Sequence, residues 1–298
     1  MATLSKSTLF DPTLVADLIN KVKGHSTLAK LCGQSAIPFN GIKEFTFTLD
    51  KEMDIVAENG AKSHGGATVA PLTIVPIKFE YGARVSDEFV NAAEEERINY
   101  LKAFNDGFAK KMGRALDIAA FQGLNPRTGE ASNVVGNNCF DKAVTNTVAF
   151  DGTKADENIE DAIALLAEDT DVNGLAVNPA MRSALAAIKL QSGLKKFPEL
   201  EWGGKPSMLG GIAFDANGTV SYNGGDIRAI VGDFQNAFKW GIAKEIPLEV
   251  IPYGDPDNSG EDLKGHNQVY LRTEVYMGWG ILDKDAFSMV EEAAESES

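Results

Sequence analysis

The sequence predicts an α+β protein, and three observations predict it. An apolar stripe of helical period runs through residues 94–122, two segments of period two stand ahead of it, and beyond it short helices and strands mix without the regular alternation of a doubly wound sheet. No internal repeat is visible.

Taken in order, residues 1–36 carry weak amphipathic helix signals. Leu14, Val15, Leu18, Ile19 and Val22 share one face, and Gly24 and Gly33 break the pattern. Lys6, Lys21, Lys23 and Lys30 against Asp11 and Asp17 make the segment slightly basic, so it reads as an arm outside the core with a solvated charged face. From Ile42 to Tyr81 the period is two: Phe45, Phe47 and Leu49 alternate with Thr46, Thr48 and Asp50, and a return segment alternates Val75, Ile77, Phe79 and Tyr81 with Pro76, Lys78, Glu80 and Gly82. The polar stretch 58–67, with Gly60, Gly65 and Gly66, makes the tip of a two-stranded ribbon. Such a ribbon is marginal in water by itself, so its apolar residues need cover, either from later strands of the same chain or from another subunit.

The helical stripe comprises Ile98, Leu101, Phe104, Phe108, Met112, Ala115, Leu116 and Ala119, with Glu94, Glu95, Glu96, Lys102, Asp106, Lys110, Lys111, Arg114 and Asp117 on the other side. Ser86 or Asp87 serves as N-cap, and Gly123 with Pro126 supplies the stop. At ~1.5 Å per residue this helix is roughly 43 Å long and spans the molecule. Gly107 and Gly113 each cost about 1 kcal/mol against alanine, so another backbone is expected to pass close to them. After it come loop and short strand (123–150), a helix at 156–166, a buried strand at 174–177, and a helix opened by Pro179 and running to about 190. Residues 191–225 are rich in Gly, Pro and Asn. Strands follow at 226–231, 237–242 and 248–251, then a turn-rich loop (253–265), strands at 268–276 and 279–282, and an acidic tail.

Composition narrows the function. The 298 residues, 44% of them hydrophobic, suffice for a substantial core in one large or two modest domains. A formal charge of -15 argues against a basic groove for nucleic-acid backbone, so DNA is not expected as a direct ligand. The N-terminus lacks a basic segment followed by an apolar one, and no apolar run approaches the ~18 residues of a membrane span, so synthesis and residence in the cytosol are expected and no membrane partner is. Cys32 and Cys139, far apart, read as reduced and structural.

Catalytic constellations are missing. The sequence contains no phosphate-binding G-x-x-x-x-G-K-[ST] loop, no G-x-G-x-x-G, no G-x-S-x-G and no H-E-x-x-H, and His25, His64 and His266 lack ligand spacing. Glu94–Glu96 read as a solvated first turn rather than an acid–base pair. Asp255, Asp257, Ser259 and Gly260 match positions one, three, five and six of an EF-hand loop, but position twelve is His266 where a bidentate Glu belongs, so the segment reads as a polar turn. No catalytic residue, cofactor or metal is expected.

Several short strings, in order and spacing, resemble the major capsid proteins of tailed phages, the Hong Kong 97 type of shell subunit that encapsulin nanocompartments also use. Phe121-Gln122-Gly123-Leu124-Asn125-Pro126 with Gly129 is similar to the family's segment after its spine helix. Val177-Asn178-Pro179 followed by Leu185 and Ile188 is similar to its strand, turn and helix. Gly232-Asp233-Phe234 with Lys239-Trp240-Gly241-Ile242, and then Asn267, Val269, Arg272, Gly278 and Asp285-Ala286-Phe287, resemble its later strands. The chain departs from the pattern at Gly210-Gly211-Ile212-Ala213, where many members have G-x-P-V, and its arm begins almost at residue 1.

The resemblance implies an N-terminal arm (1–40), an extended β-ribbon loop (41–85), a peripheral domain with the spine helix (86–150), a mixed α/β apical domain (151–252), and closing strands with the acidic tail (253–298). It implies a non-enzymatic subunit that self-assembles, as hexamers and pentamers, into the icosahedral head shell around a phage genome. Inter-subunit contacts are expected at Phe45, Phe47, Val56, Glu58, Lys62, Ile77, Phe79 and Arg84. Some relatives weld subunits through a Lys–Asn isopeptide bond; Lys62 sits where that lysine would be, but a lysine in a polar tip is ordinary and the buried Glu that the bond requires is not identifiable. A separate scaffolding protein, or prior removal of a scaffolding segment, is implied, with a portal as a further partner, assembly in the host cytoplasm, residence in the virion, and packaged DNA enclosed without sequence-specific binding. An acidic wall suits that last role, since it repels phosphate. The alternatives are an encapsulin-like compartment enclosing a protein cargo, a tail or other virion protein forming rings or tubes, and a soluble enzyme with an unrecognised site.

Overall fold

The computed structural model describes residues 25–51, 53–88, 94–168 and 170–293, so the amphipathic face at 14–22 lies outside the described residues. The end of the expected arm is core. Helix α1 (Thr27–Leu31), N-capped by Ser26, buries Thr27, Leu28, Ala29 and Leu31. Its short apolar run, Leu28 to Cys32, lies between the long helix and the later sheet because buried carboxylates on both sides receive its polar groups.

The ribbon differs from its expected pairing. Strand β1 (Ile42–Leu49) pairs antiparallel with β2 (Ala67–Ile74) from Ile42↔Ile74 to Leu49↔Ala67, and these two strands form a sheet of their own. The expected return segment is instead β3 (Ile77–Ser86), which pairs with a late strand of the same chain. Pro71 hides β2 from a reading of alternation, yet a two-stranded ribbon tolerates proline because each strand keeps a free edge.

Helix α2 (Glu94–Gln122) has the bounds that the stripe sets. Residues 89–93 ahead of it are outside the described set, and so are the side chains of Ile98 and Leu101. Phe108, Met112, Leu116 and Ala119 are buried as expected. From Leu116 to Gln122 the helix is buried all round, and the expectation of a solvated Asp117 is corrected: it is fully enclosed. No described atom lies within 4 Å of a Cβ at Gly107, so the expected close backbone is not there.

Two sheets complete the chain. One has the order β3-β10-β9, with β9 (Phe238–Ile251) and β10 (Gln268–Ile281) each a single long strand where the sequence suggested two. Bulges between Arg272 and Glu274 and between Tyr276 and Met277 break the alternation, and Pro247 falls in β9, an edge strand. The other sheet has the order β4-β11-β8-β5-β7-β6, formed by β4 (Thr147–Ala149), β5 (Gly174–Val177), β6 (Met208–Leu209), β7 (Ile212–Ala216), β8 (Ile227–Gly232) and β11 (Phe287–Glu291). It is mixed: β4/β11 and β5/β7 are parallel, the rest antiparallel.

The central strands of this sheet, β5, β8 and β11, are buried on both faces, so they read as largely apolar runs. On one face Leu175, Val177, Ala229, Val231 and Val290 pack with Met181 and Leu185 of α5 (Pro179–Ala187) and with Ala155 and Ala162 of α4 (Ala155–Ala164). On the other, Ala176, Ile230, Phe287 and Met289 join Leu116, Ala120 and Phe121 of α2. At that junction Phe140, in α3 (Phe140–Ala143), touches four rings: Phe121, Phe234, Phe238 and Phe287, with centroids 5.0 to 5.9 Å away. Three of the strings that carry the resemblance therefore supply this cluster, with Phe121, Phe234 and Phe287 in its middle.

Candidate assembly surfaces

The ribbon is the most exposed part of the described chain. Phe45 on β1 is 58% exposed, Val56 is partly exposed, and Glu58 and Lys62 lie open near the tip. Phe47 stands opposite Val69, itself exposed. Sequence reading missed Met53 and Ile55, which are 97% and 98% exposed. The signal was available in 52–58, Glu-Met-Asp-Ile-Val-Ala-Glu, where apolar residues stand between acids just ahead of Gly60.

The root of the ribbon is fixed. Ile74 is fully buried on β10, where Gly278 and Gly280 leave room for it: a Cβ on Gly280 would come within 2.8 Å of its side chain. Gly41, at φ +83°, turns the chain into β1 with the Ile74 carbonyl so near that no side chain fits. Lys239 of β9 pairs with Glu44 of β1.

Ile77, Phe79 and Arg84 lie behind this root, and their contacts are within the chain. Ile77 and Phe79 pack against the chain's own core, and Phe79 lies 6.3 Å from the Trp279 ring. Arg84 is enclosed by the 253–263 loop. Its guanidinium donates to Asp257 Oδ2 at 2.9 Å and Oδ1 at 2.5 Å, to Asp255 Oδ1 at 2.9 Å, to Ser259 Oγ and to the Glu261 carbonyl at 2.9 Å. The residues that imitate a calcium loop thus converge on a fixed organic cation, and among the described residues no group of His, Cys, Asp and Glu is arranged for a metal ion. The hydrogen bond from Arg84 holds the Asp257 carboxyl well below its ordinary range.

The clasp on α1 was invisible in the sequence. Asp117 Oδ1 accepts from Ser26 Oγ (2.6 Å) and Leu28 N (3.2 Å), while Oδ2 accepts from Thr27 N (2.8 Å) and Thr219 Oγ1 (2.9 Å). Asp215 of β7 accepts from Thr27 Oγ1 and from Lys30 Nζ. Burial pushes the Asp117 carboxyl up to about 6 against these hydrogen bonds, which lower it. Burial also raises both thiols, Cys32 to about 11, so they are poor nucleophiles. Among the described residues no glutamate is buried. No described helix is long and apolar enough to cross a membrane.

A plate built on a spine helix, with a ribbon rooted on the plate and turned away from it, is the Hong Kong 97 type of shell subunit. The chain belongs to the phage capsid family, whose model matches residues 7–291. It is similar to a solved chain from Mycobacterium phage Ogopogo, with 33% identity over 90% of this chain and 92% of that one and a TM-score of 0.74. A chain from Gordonia phage Cozz shares the fold at 24% identity, with 91% and 87% covered and a TM-score of 0.74. So does a chain from the capsid of a native GTA particle computed with C5 symmetry, at 15% identity, 90% of each chain covered and a TM-score of 0.64. No curated protein sequence matches. The chain is thus a major capsid protein, a self-assembling component of the icosahedral shell of a virion.

Proposed function

We propose that this subunit closes, through hexamers and pentamers, into the head shell that encloses a tailed phage genome, and that it acts by contact rather than catalysis. One observation carries the reading: a ribbon that has no third strand among the described residues, rooted firmly at Ile74 but exposing Phe45, Met53, Ile55, Val56 and Val69, is apolar surface that the described residues leave open. Phe45, Phe47, Val56, Glu58 and Lys62 are its contact residues. Ile77, Phe79 and Arg84 serve the same contact indirectly by holding the root and the neighbouring loop. Rotational symmetry turns one such heterologous contact into a closed ring and then a shell. Each contact is modest, so assembly errors dissolve and correct themselves. Assembly takes place in the host cytoplasm with a separate scaffolding protein and a portal, and the acidic subunit encloses DNA without binding its sequence.

Size exclusion followed by negative-stain microscopy of the purified protein tests this. Closed particles are expected, and nucleic acid within particles from infected cells would separate a genome container from a compartment for protein cargo. A compact monomer at high concentration, with the ribbon folded on its own body, overturns the reading.

A further inference from the structure

The chain contains five Asn-Gly pairs, at Asn40-Gly41, Asn59-Gly60, Asn173-Gly174, Asn217-Gly218 and Asn223-Gly224. In such a pair no side chain stands beside the glycine nitrogen, which is free to close on the side-chain carbonyl carbon of the asparagine wherever the backbone can bring the two together. Four of the pairs are held. Asn173 Nδ2 donates to Asp233 Oδ1 and its Oδ1 accepts from Gln235 N, while Gly174 is fixed in β5. Asn217 Oδ1 accepts from Thr219 N at 3.3 Å. Asn223 Nδ2 reaches the Gly129 carbonyl at 3.5 Å, and the Arg114 guanidinium lies over the adjacent Tyr222 ring. Asn40 is exposed but stands between anchors, with Phe39 packed 4.9 Å from the Tyr276 ring and Gly41 pressed against the Ile74 carbonyl.

Asn59 has no such hold. Strand β1 ends at Leu49, β2 begins at Ala67, and every described residue from 53 to 66 is exposed. Its side-chain amide has no hydrogen-bond partner among the described residues. The residue sits at φ +68°, in a turn closed by one backbone hydrogen bond, from Gly60 N to the Ala57 carbonyl at 2.8 Å. A single exposed hydrogen bond opens readily, which frees the nitrogen to attack.

We propose that Asn59 is a site of spontaneous covalent modification, converting to aspartyl and isoaspartyl forms in the free subunit and protected once the subunit is in a shell. The Gly60 nitrogen bonds to Asn59 Cγ, the Cγ–Nδ2 bond breaks, and ammonia leaves carrying the proton that Gly60 gives up. A cyclic imide remains, and water opens it. Addition at Cγ leaves an aspartyl residue; addition at the backbone carbonyl carbon leaves an isoaspartyl residue, whose main chain runs through the former side chain. Nothing is oxidised or reduced, and water is the only co-reactant. Either product places a carboxylate beside Glu58, in a tip that already carries Asp50, Glu52 and Asp54 against Lys51 and Lys62. The protection rests on the reading of Val56, Glu58 and Lys62 as contacts between copies, since they flank Asn59; the chemistry does not.

Trypsin gives a clean readout, because the peptide 52–62, cut after Lys51 and Lys62, has Asn59 as its only amide side chain. Free subunit and particles are incubated in mildly alkaline buffer, and the amide-to-acid mass gain is followed by mass spectrometry. In the free subunit Asn59 should convert at least about tenfold faster than the asparagines of the other four pairs, whose backbones open less often. Its rate should rise with pH, since the attacking nitrogen must lose its proton. Gly60→Ala, which sets a Cβ beside that nitrogen in an exposed loop, should slow conversion by about tenfold and leave the melting temperature in place. Particles should convert about tenfold more slowly than free subunit. No gain at Asn59, an equal or faster gain at another pair, or an undiminished rate in Gly60→Ala overturns the site. An equal rate in particles overturns the protection. A wild type that never forms particles overturns the shell reading instead, and the free-subunit rates then decide the site by themselves, so these failures are distinguishable.

Discussion

Asp117 sits on the charged side of the helical stripe and is nevertheless fully buried, because the N-terminus of α1 is folded onto it. Both of its oxygens accept a backbone N–H, Thr27 on one and Leu28 on the other. A hydroxyl can rotate to suit a new partner, but a backbone N–H cannot. Asp117→Asn should therefore cost about 1–3 kcal/mol in denaturant unfolding, since one amide N–H must face another. The pH dependence has a definite sign. The folded carboxyl is raised to about 6 from 3.8, so the native state binds the proton more readily than the unfolded chain. This group's contribution to stability accordingly grows as pH falls from 7 through 6 toward 4, by roughly 3 kcal/mol at most. The stability gap between wild type and Asp117→Asn should widen over that range; a gap that narrows would sink the account. Nothing in the sequence marks Asp117 for burial, because its partners lie about ninety residues before it and a hundred after it.

At the scale of elements, the loop 253–263 has almost no apolar side chain of its own beyond the buried Leu263, and Arg84 supplies the ordering that a core would otherwise supply. Arg84→Ala should raise amide exchange across residues 253–263 with little effect on α2, measured by hydrogen exchange with mass spectrometry. Asp257 is depressed by the guanidinium, so its contribution is fully present above the ordinary carboxylate range and is lost only as pH falls through the lower folded value. Loop protection in the wild type should hold from pH 7 to 5 and fail only well below 4, the opposite direction to Asp117. Elements were legible in the sequence wherever one face repeats: α2 has its expected bounds, β5 likewise, and Asn178 caps α5 through Met181 N at 2.8 Å. They were hidden where a local rule is broken for a tertiary reason. Pro71 conceals β2, the two bulges split β10 and β9, and the brevity of β11 leaves it looking like tail. The EF-hand imitation was rightly read as a turn, but not as the enclosure of Arg84, since spacing cannot reveal a partner some 170 residues away.

At the scale of the whole molecule, what the sequence could not locate is where the ribbon ends its dependence on its own chain. The expected contacts included Ile77, Phe79 and Arg84 together with Phe45, Phe47, Val56, Glu58 and Lys62, whereas the described contacts change at Ile74: behind it Ile77 and Phe79 pack on the chain's own core, and ahead of it apolar side chains stand open. Folding and assembly should then be separable by one deletion. Leu49 and Ala67 are the last paired residues of β1 and β2, so residues 50–66 can be replaced by Asn-Gly, the pair that a two-residue hairpin turn favours. The deleted stretch contributes nothing to either core cluster. The shortened protein should melt within a few degrees of the wild type and run as a folded monomer, because its loss falls on exposed surface, where substitutions change stability by only about 0.5 kcal/mol. It should form no particles under conditions in which the wild type does, since Met53, Ile55, Val56 and Glu58 are gone. A shortened chain that still closes into shells would place the decisive contacts elsewhere on the plate. One that fails to fold would mean that the tip shelters on its own body after all, so calorimetry and microscopy on the same preparation separate the two.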